Sequence, residues 1–177
     1  MKPRIAPVTN PDPELADLLS KTQVREGSPL NIFTTLANHP RLLKRFNVLG
    51  GFFLGRGLLP ERERELVILR SAWRAGSEYE FGQHTLIGAA AGLTAAEIRA
   101  IASEGGQWSD RDATLLAVAD EVEACAVLND RTWDRLKGFY SDAEVIEVIM
   151  LVGFYRMLAG FLNSTRVELD PGVPGWP

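Results

Sequence analysis

The sequence predicts an all-α protein on three observations. Apolar residues recur at helical spacing along most of the chain, no run of alternating β-branched residues lies between turn signals, and Pro, Gly and capping residues fall where helices would start and stop. Its 177 residues suffice for one well-buried core. A single multi-helix domain over residues 1–177 is expected, with extended arms at about 1–13 and 164–177.

After a Pro-rich arm, Glu14 to Val24 reads as a first helix closed by Gly27-Ser28-Pro29, and Leu30 to Ala37 as a second. Pro40 suits the start of a third, Arg41 to Leu54, because its missing N–H would lack an intrahelical partner there anyway. His39 reads as a helix end or a cap for that helix, and Gly55 and Gly57 end it. Pro60 opens the fourth, Glu61 to Ala75, in the same way. The fifth follows Gly76 and stops at Gly92, which suits the position just past a helix end. Thr94 and Glu97 form a capping box for a sixth, which stops near Gly105-Gly106.

Asp110 to Leu128 sets Leu115, Leu116, Val118, Ala119, Val122 and Ala126 against Asp112, Asp120 and Glu123. Asn129-Asp130 breaks that helix, and Arg131 to Tyr140 forms the next. Ser141 and Glu144 cap the last, which runs to about Asn163 and is apolar nearly all round. Covering it takes more apolar surface than one layer of this size supplies, so a homo-oligomer is expected. The Pro- and Gly-rich tail beyond it should be loose or clasp a neighbouring subunit.

A 46% hydrophobic and 24% charged composition is that of a globular protein. Nineteen basic and 23 acidic residues are interspersed, leaving no cationic stripe for phosphates, so nucleic acid is not an expected partner. The opening Met1 to Pro7 lacks the apolar run of a signal peptide. The longest uninterrupted apolar run, Val148 to Tyr155, is far short of the ~20 residues of a membrane helix. A cytoplasmic protein without a membrane partner is expected. The single cysteine, Cys125, excludes an intramolecular disulfide and reads as inert core.

The chemistry-bearing stretch is Ser77-Glu78-Tyr79-Glu80-Phe81-Gly82-Gln83-His84. At about 100° per residue, Ser77, Glu80 and His84 share one small, apolar face with Phe81, while Glu78, Gly82 and Thr85 form the solvent stripe. In the preceding helix Glu65 projects from the middle of the apolar face made by Leu66, Ile68, Leu69 and Ala72. A buried carboxylate without partners costs several kcal/mol, so Glu65 requires a partner or a proton. His84 and Glu80, across the turn at Gly76, are candidates, as is an ion pair with Arg62 or Arg56. Ser77 and Glu80 also have capping-box spacing, and Glu80 can cap and still face a pocket. The run Glu61 to Arg64 reads as a solvated helix start, and Arg70 and Arg74 as surface. Two carboxylates and one imidazole fall short of any specific metal motif.

Leu36-Ala37-Asn38-His39-Pro40, Arg64 to Arg70, Glu78 to His84, and Ala91-Gly92-Leu93-Thr94 with Glu97-Ile98 together resemble the carboxymuconolactone decarboxylase family, which includes the alkylhydroperoxidase D-like proteins. The resemblance implies an all-α, oligomeric fold. Its peroxidase branch would carry cysteines where this chain has Ser77 and Glu80, with His84 and Glu65 matching the family's histidine and glutamate. A hydroxyl and a carboxylate cannot form a disulfide, so dithiol peroxide reduction is not implied. The Glu-x-x-x-His form looks like the decarboxylase branch, whose lyases remove CO₂ from a carboxylated unsaturated lactone without metal or organic cofactor.

The expected site therefore has three catalytic residues. His84 is the general acid/base, Glu80 orients it and favours its charged form, and Glu65 completes the relay. Ser77 and Phe81 line the substrate, a small organic acid or lactone. Two rival readings are a peroxidase working through Cys125, and a non-catalytic helical binding or assembly module whose buried polar groups only specify packing.

Overall fold

The structure, a computed structural model, describes residues 2–103 and 105–177. It is helical throughout apart from one minimal hairpin. The chain divides into two compact units, Met1–Gly57 with Leu162–Gly172, and Leu58–Phe161 with Val173–Pro177.

In the first unit, α1 (Pro13–Ser20) begins as its residues dictate: Asp12 accepts from the Leu15 N–H at 2.8 Å, with Pro13 in the first turn. The chain then makes two short antiparallel strands, β1 (Val24–Arg25) and β2 (Ser28–Pro29). Sequence reading expected the first helix to run to Val24 and close at Gly27-Ser28-Pro29, whereas α1 ends at Ser20 and Val24 lies in β1. Glu26 (φ 50°) and Gly27 (φ 81°) both lie in the left-handed region that a two-residue hairpin turn demands, a geometry that helical periodicity does not report. α2 (Asn31–Leu36) and α3 (Pro40–Gly55) follow, and His39 Nδ1 caps α3 by accepting from the Leu42 N–H at 3.4 Å. The N-terminal arm is pinned, with Arg4 N–H on the Thr165 carbonyl at 2.8 Å and Val8 N–H on the Thr34 carbonyl at 2.9 Å. The segment after Leu162 is held as well, since buried Asp170 accepts from the Asn31 N–H at 2.8 Å.

The second unit is built on α4 (Glu61–Arg74), whose Leu66, Val67, Ile68 and Leu69 are fully buried. Around it lie α5 (Glu78–Ala90), α6 (Ala95–Ile101), α7 (Asp110–Cys125), α8 (Asp130–Phe139) and most of α9 (Asp142–Thr165). Gly76 (φ 62°) makes the tight turn from α4 to α5, and the Thr94–Glu97 capping box starts α6 as expected. Four buried apolar residues in a row leave the middle of α4 no solvent-facing stripe, so its charged residues must pair. Arg62 bonds Glu97 and Asp112, Glu63 is bound by Arg111 and Tyr140, and Arg70 and Arg74 share Asp120. Arg70 is thus buried rather than at the surface, its guanidinium also donating to the Ile101 and Ser103 carbonyls.

By length and apolarity the whole of α9 could cross a bilayer, although its uninterrupted apolar run could not, and 56% of its most apolar window is buried within the protein, as in a core helix. Its Glu147 is buried and accepts from the Leu58 and Leu59 N–H groups at 2.8 to 3.1 Å, fixing the turn that enters α4. The end of the tail is not loose but packs on its own chain: Trp176 lies at 5.2 Å from both Trp73 and Phe81, and the Trp176 N–H bonds Glu78 at 3.3 Å. Cys125 is exposed at the last turn of α7, not inert core.

Candidate functional site

Glu65 lies on the α4 face packed against α5, and both of its carboxylate oxygens are taken. Oε2 meets His84 Nδ1 at 2.6 Å, and Oε1 accepts from Arg64 Nε at 2.8 Å. All three side chains are at least nine-tenths buried. Its partner is therefore neither Arg62 nor Arg56, and Arg64 is not part of a solvated helix start. Burial by itself would raise the Glu65 carboxyl, but the His84 charge and hydrogen bond, followed by Arg64, bring it below the ordinary glutamate value. A charged Glu65 facing Nδ1 selects the imidazole form with hydrogen on Nδ1. His84 Nε2 forms no hydrogen bond among the described residues.

Glu80 occupies the first turn of α5, one turn before His84. It does not orient His84, since Glu65 fills that place. Neither Glu80 oxygen forms a hydrogen bond, and the residue is only 2% exposed. Burial, reinforced by the charge of Glu123, pushes its carboxyl up to about 8, so it carries a proton at neutral pH. The Ser77 hydroxyl lies near enough to ease its ionisation, but no hydrogen bond of normal geometry joins them. The capping box expected of Ser77 and Glu80 is not formed: Ser77 is the N-cap residue, yet its side chain caps nothing. Ser77 Oγ is buried and unpartnered beside Glu80.

Phe81 is tied into an aromatic cluster, edge-on to Trp73 at 6.3 Å and under Trp176. The expected solvent stripe of α5 is likewise covered at Gly82, which lies so close to Val173 and Pro174 that a Cβ there would stand 2.2 Å from the Pro174 carbonyl oxygen. Leu86 on the far side is exposed instead.

Three participants were not legible in the sequence. Tyr155 stands edge-on to the His84 ring at 5.0 Å, and burial, then the charges of Glu65 and Glu80, hold its phenol well above the ordinary range. Its only signal was a polar tip inside the most apolar run. Arg64 was hidden in a charged run, and Glu123 in the polar face of α7. Among the described residues no group of three or more His, Cys, Asp or Glu side chains is placed to hold a metal ion. An open surface cleft lined by Asp110, Arg131, Arg135, Gly138 and Phe139 belongs to α7 and α8 and contains none of these site residues.

Comparison with known proteins agrees with this architecture. Residues 40–121 match the model of the carboxymuconolactone decarboxylase family. No curated protein matches the sequence. Among solved structures, the debrominase Bmp8 in complex with 2,3,4-tribromopyrrole is 18% identical, with a TM-score of 0.82 over 97% of this chain and 94% of that one. An uncharacterized peroxidase-related protein from Silicibacter sp. TM1040 is 15% identical, with a TM-score of 0.80 over 98% and 96%. A second such protein, from Ralstonia eutropha JMP134 and described as an alkylhydroperoxidase AhpD core, is 19% identical, with a TM-score of 0.76 over 92% of each chain. At these identities the likeness is one of fold.

Proposed function

Because residues 40–121 match the model of the carboxymuconolactone decarboxylase family, we propose that this protein performs acid–base chemistry on a small organic acid or lactone, in the manner of the decarboxylase branch and without a metal or organic cofactor. The observation that carries the reading is the buried 2.6 Å contact between Glu65 and His84 Nδ1, which leaves Nε2 as the one ring nitrogen able to take or give a proton. Glu65 holds the ring and its tautomer, and Arg64 keeps Glu65 charged. Glu80, protonated near neutral pH, offers an O–H where negative charge develops. In a decarboxylation the bond to the departing carboxylate breaks, CO₂ leaves, and the electron pair passes into an enolate. Glu80 stabilises the enolate oxygen, and His84, having taken a proton from water on Nε2, delivers that proton to carbon and returns to the form with hydrogen on Nδ1 alone.

Dithiol peroxide reduction needs two thiols, and this chain has one cysteine. A buried polar group kept only to specify packing should find a partner, and the bare Glu80 oxygens favour chemistry over that reading. Association of copies through Ile146, Met150 and Met157, which are exposed on α9, is part of the same proposal.

A ligand-induced thermal-shift screen of carboxylated unsaturated lactones and related acids identifies the substrate class, and CO₂ release by the hits measures turnover. His84→Gln is expected to lower turnover by roughly 10²-fold or more. Unchanged turnover in that variant would overturn the assignment.

A further inference from the structure

α8 carries two arginines one turn apart, Arg131 and Arg135, on the side that lines the open cleft at the start of α7. At about 100° per residue they share an arc of about 100° with Gly138 and Phe139, while Thr132 and Leu136 are buried in the protein. The cleft has a volume of about 520 Å³, within the range that holds a small organic molecule. The arginines of α4 and Arg111 of α7 each meet a carboxylate. Arg131, by contrast, forms no hydrogen bond or ion pair among the described residues. Arg135 gives one N–H to the Asp110 carbonyl at 3.2 Å, which holds α8 against the first turn of α7, and stands 3.9 Å from the Asp110 carboxylate. That side chain is 93% exposed and supplies the one carboxylate among the described residues of the cleft. Two like charges one turn apart on a helix repel each other unless an anion lies between them. Phe139 adds a ring that is 40% exposed, and a Cβ built on Gly138 meets nothing within 4 Å, so the surface between ring and arginines is open.

We infer that this cleft binds a ring compound bearing a carboxylate, with the carboxylate between Arg131 and Arg135 and the ring over Gly138 against Phe139. Planar guanidinium groups present paired N–H donors that match the two oxygens of a carboxylate. An inorganic anion would leave the Phe139 ring bare and fill only a small part of the volume, whereas a ring compound covers the one and occupies the other. The site is separate from the acid–base cluster, since it contains none of Glu65, Glu80 and His84. No imidazole, thiol or buried carboxyl lines it, so the ligand is held there and not transformed.

Benzoate, benzamide and inorganic phosphate are titrated into the full chain, and amide NMR shifts are followed at residues 109–112 and 131–139, with those of α5 recording any binding at the acid–base cluster. Benzoate should shift the first set saturably, and benzamide and phosphate should bind at least about tenfold more weakly. Gly138→Leu fills the cleft from a position where the added side chain meets no protein, and it replaces glycine by a better helix former, so the fold should hold while benzoate binding is lost. Arg131→Gln, at a side chain without partners among the described residues, should weaken benzoate by about tenfold and keeps the test decisive if Gly138→Leu fails to fold. Added salt should weaken the wild type as well, because the cations are at the surface. His84→Gln should leave benzoate binding at the cleft unchanged, which separates this outcome from that of the acid–base reading. Benzamide or phosphate binding as tightly as benzoate, shifts that persist in Gly138→Leu and Arg131→Gln, or benzoate shifts confined to α5 would overturn the site.

Discussion

Glu65 and Glu80 are glutamates on successive helices, both buried and both on the side of their helix that faces the core, yet their surroundings drive them in opposite directions. Glu65 has a cation or an imidazole on each oxygen and stays charged. Glu80 has no partner on either oxygen and holds its proton to about pH 8. Burial is common to both, so partners decide the protonation state. Two carboxyls pushed apart in this way leave a charged one bonded to His84 and a neutral one a turn before His84 on α5.

The sharpest break of this comparison is to remove the satisfied member. Glu65→Ala removes the carboxylate that both Arg64 and His84 bond in the interior and should destabilise the fold by roughly 3 to 5 kcal/mol, as read by denaturant unfolding at pH 7. An effect below about 1 kcal/mol would mean that the groups bonded to Glu65 find water instead and that the contrast with Glu80 is overstated.

Glu80→Gln should act with the opposite sign. The folded state favours protonated Glu80, so its stabilising contribution is complete below the unfolded carboxyl value of about 4.3 and declines at up to ~1.4 kcal/mol per pH unit as pH rises towards about 8. Gln imitates the protonated form. The variant should match the wild type near pH 4, exceed it by a few kcal/mol at pH 8, and lack the wild-type slope between, measured as unfolding free energy against pH. For Glu65 the sign reverses: its contribution is present above the ordinary carboxyl range and is lost as pH falls through its lowered value. A wild-type stability that is flat from pH 5 to 8 would remove the distinction.

Gly82→Ala probes the cover on the other side of α5. Its Cβ would collide with the Pro174 carbonyl, so residues 173–177 must shift, at roughly 1 to 3 kcal/mol. Trp176 fluorescence should move to the red as the ring leaves Trp73 and Phe81. An accompanying fall in the Glu80 titration would show that the tail contributes to its burial. The smallest effect belongs to Cys125→Ser, which should alter stability by less than about 0.5 kcal/mol and leave turnover untouched, because the thiol is exposed and outside the acid–base cluster.

Much of this protein is written locally in its chain. Thr94 with Glu97, Ser141 with Glu144, and Pro40 after His39 mark helix starts that the structure reproduces, because a cap is an interaction over three residues. Periodicity alone turned Glu65, Glu80 and His84 inward, since a helix face depends only on the 3.6-residue repeat. Ser77 shows where local reading fails: its capping spacing is correct, but the side chain is buried and caps nothing.

What the chain could not state is which groups meet. That His84 takes Glu65 and not Glu80, that Arg64 turns inward, that Tyr155 edges the imidazole, and that residues 173–177 close over Gly82 are settled by how helices distant in sequence dock. Residue type and period specify which face of a helix is buried. Only the packing of those faces sets the distances of a few ångströms on which hydrogen bonds, desolvation and protonation depend.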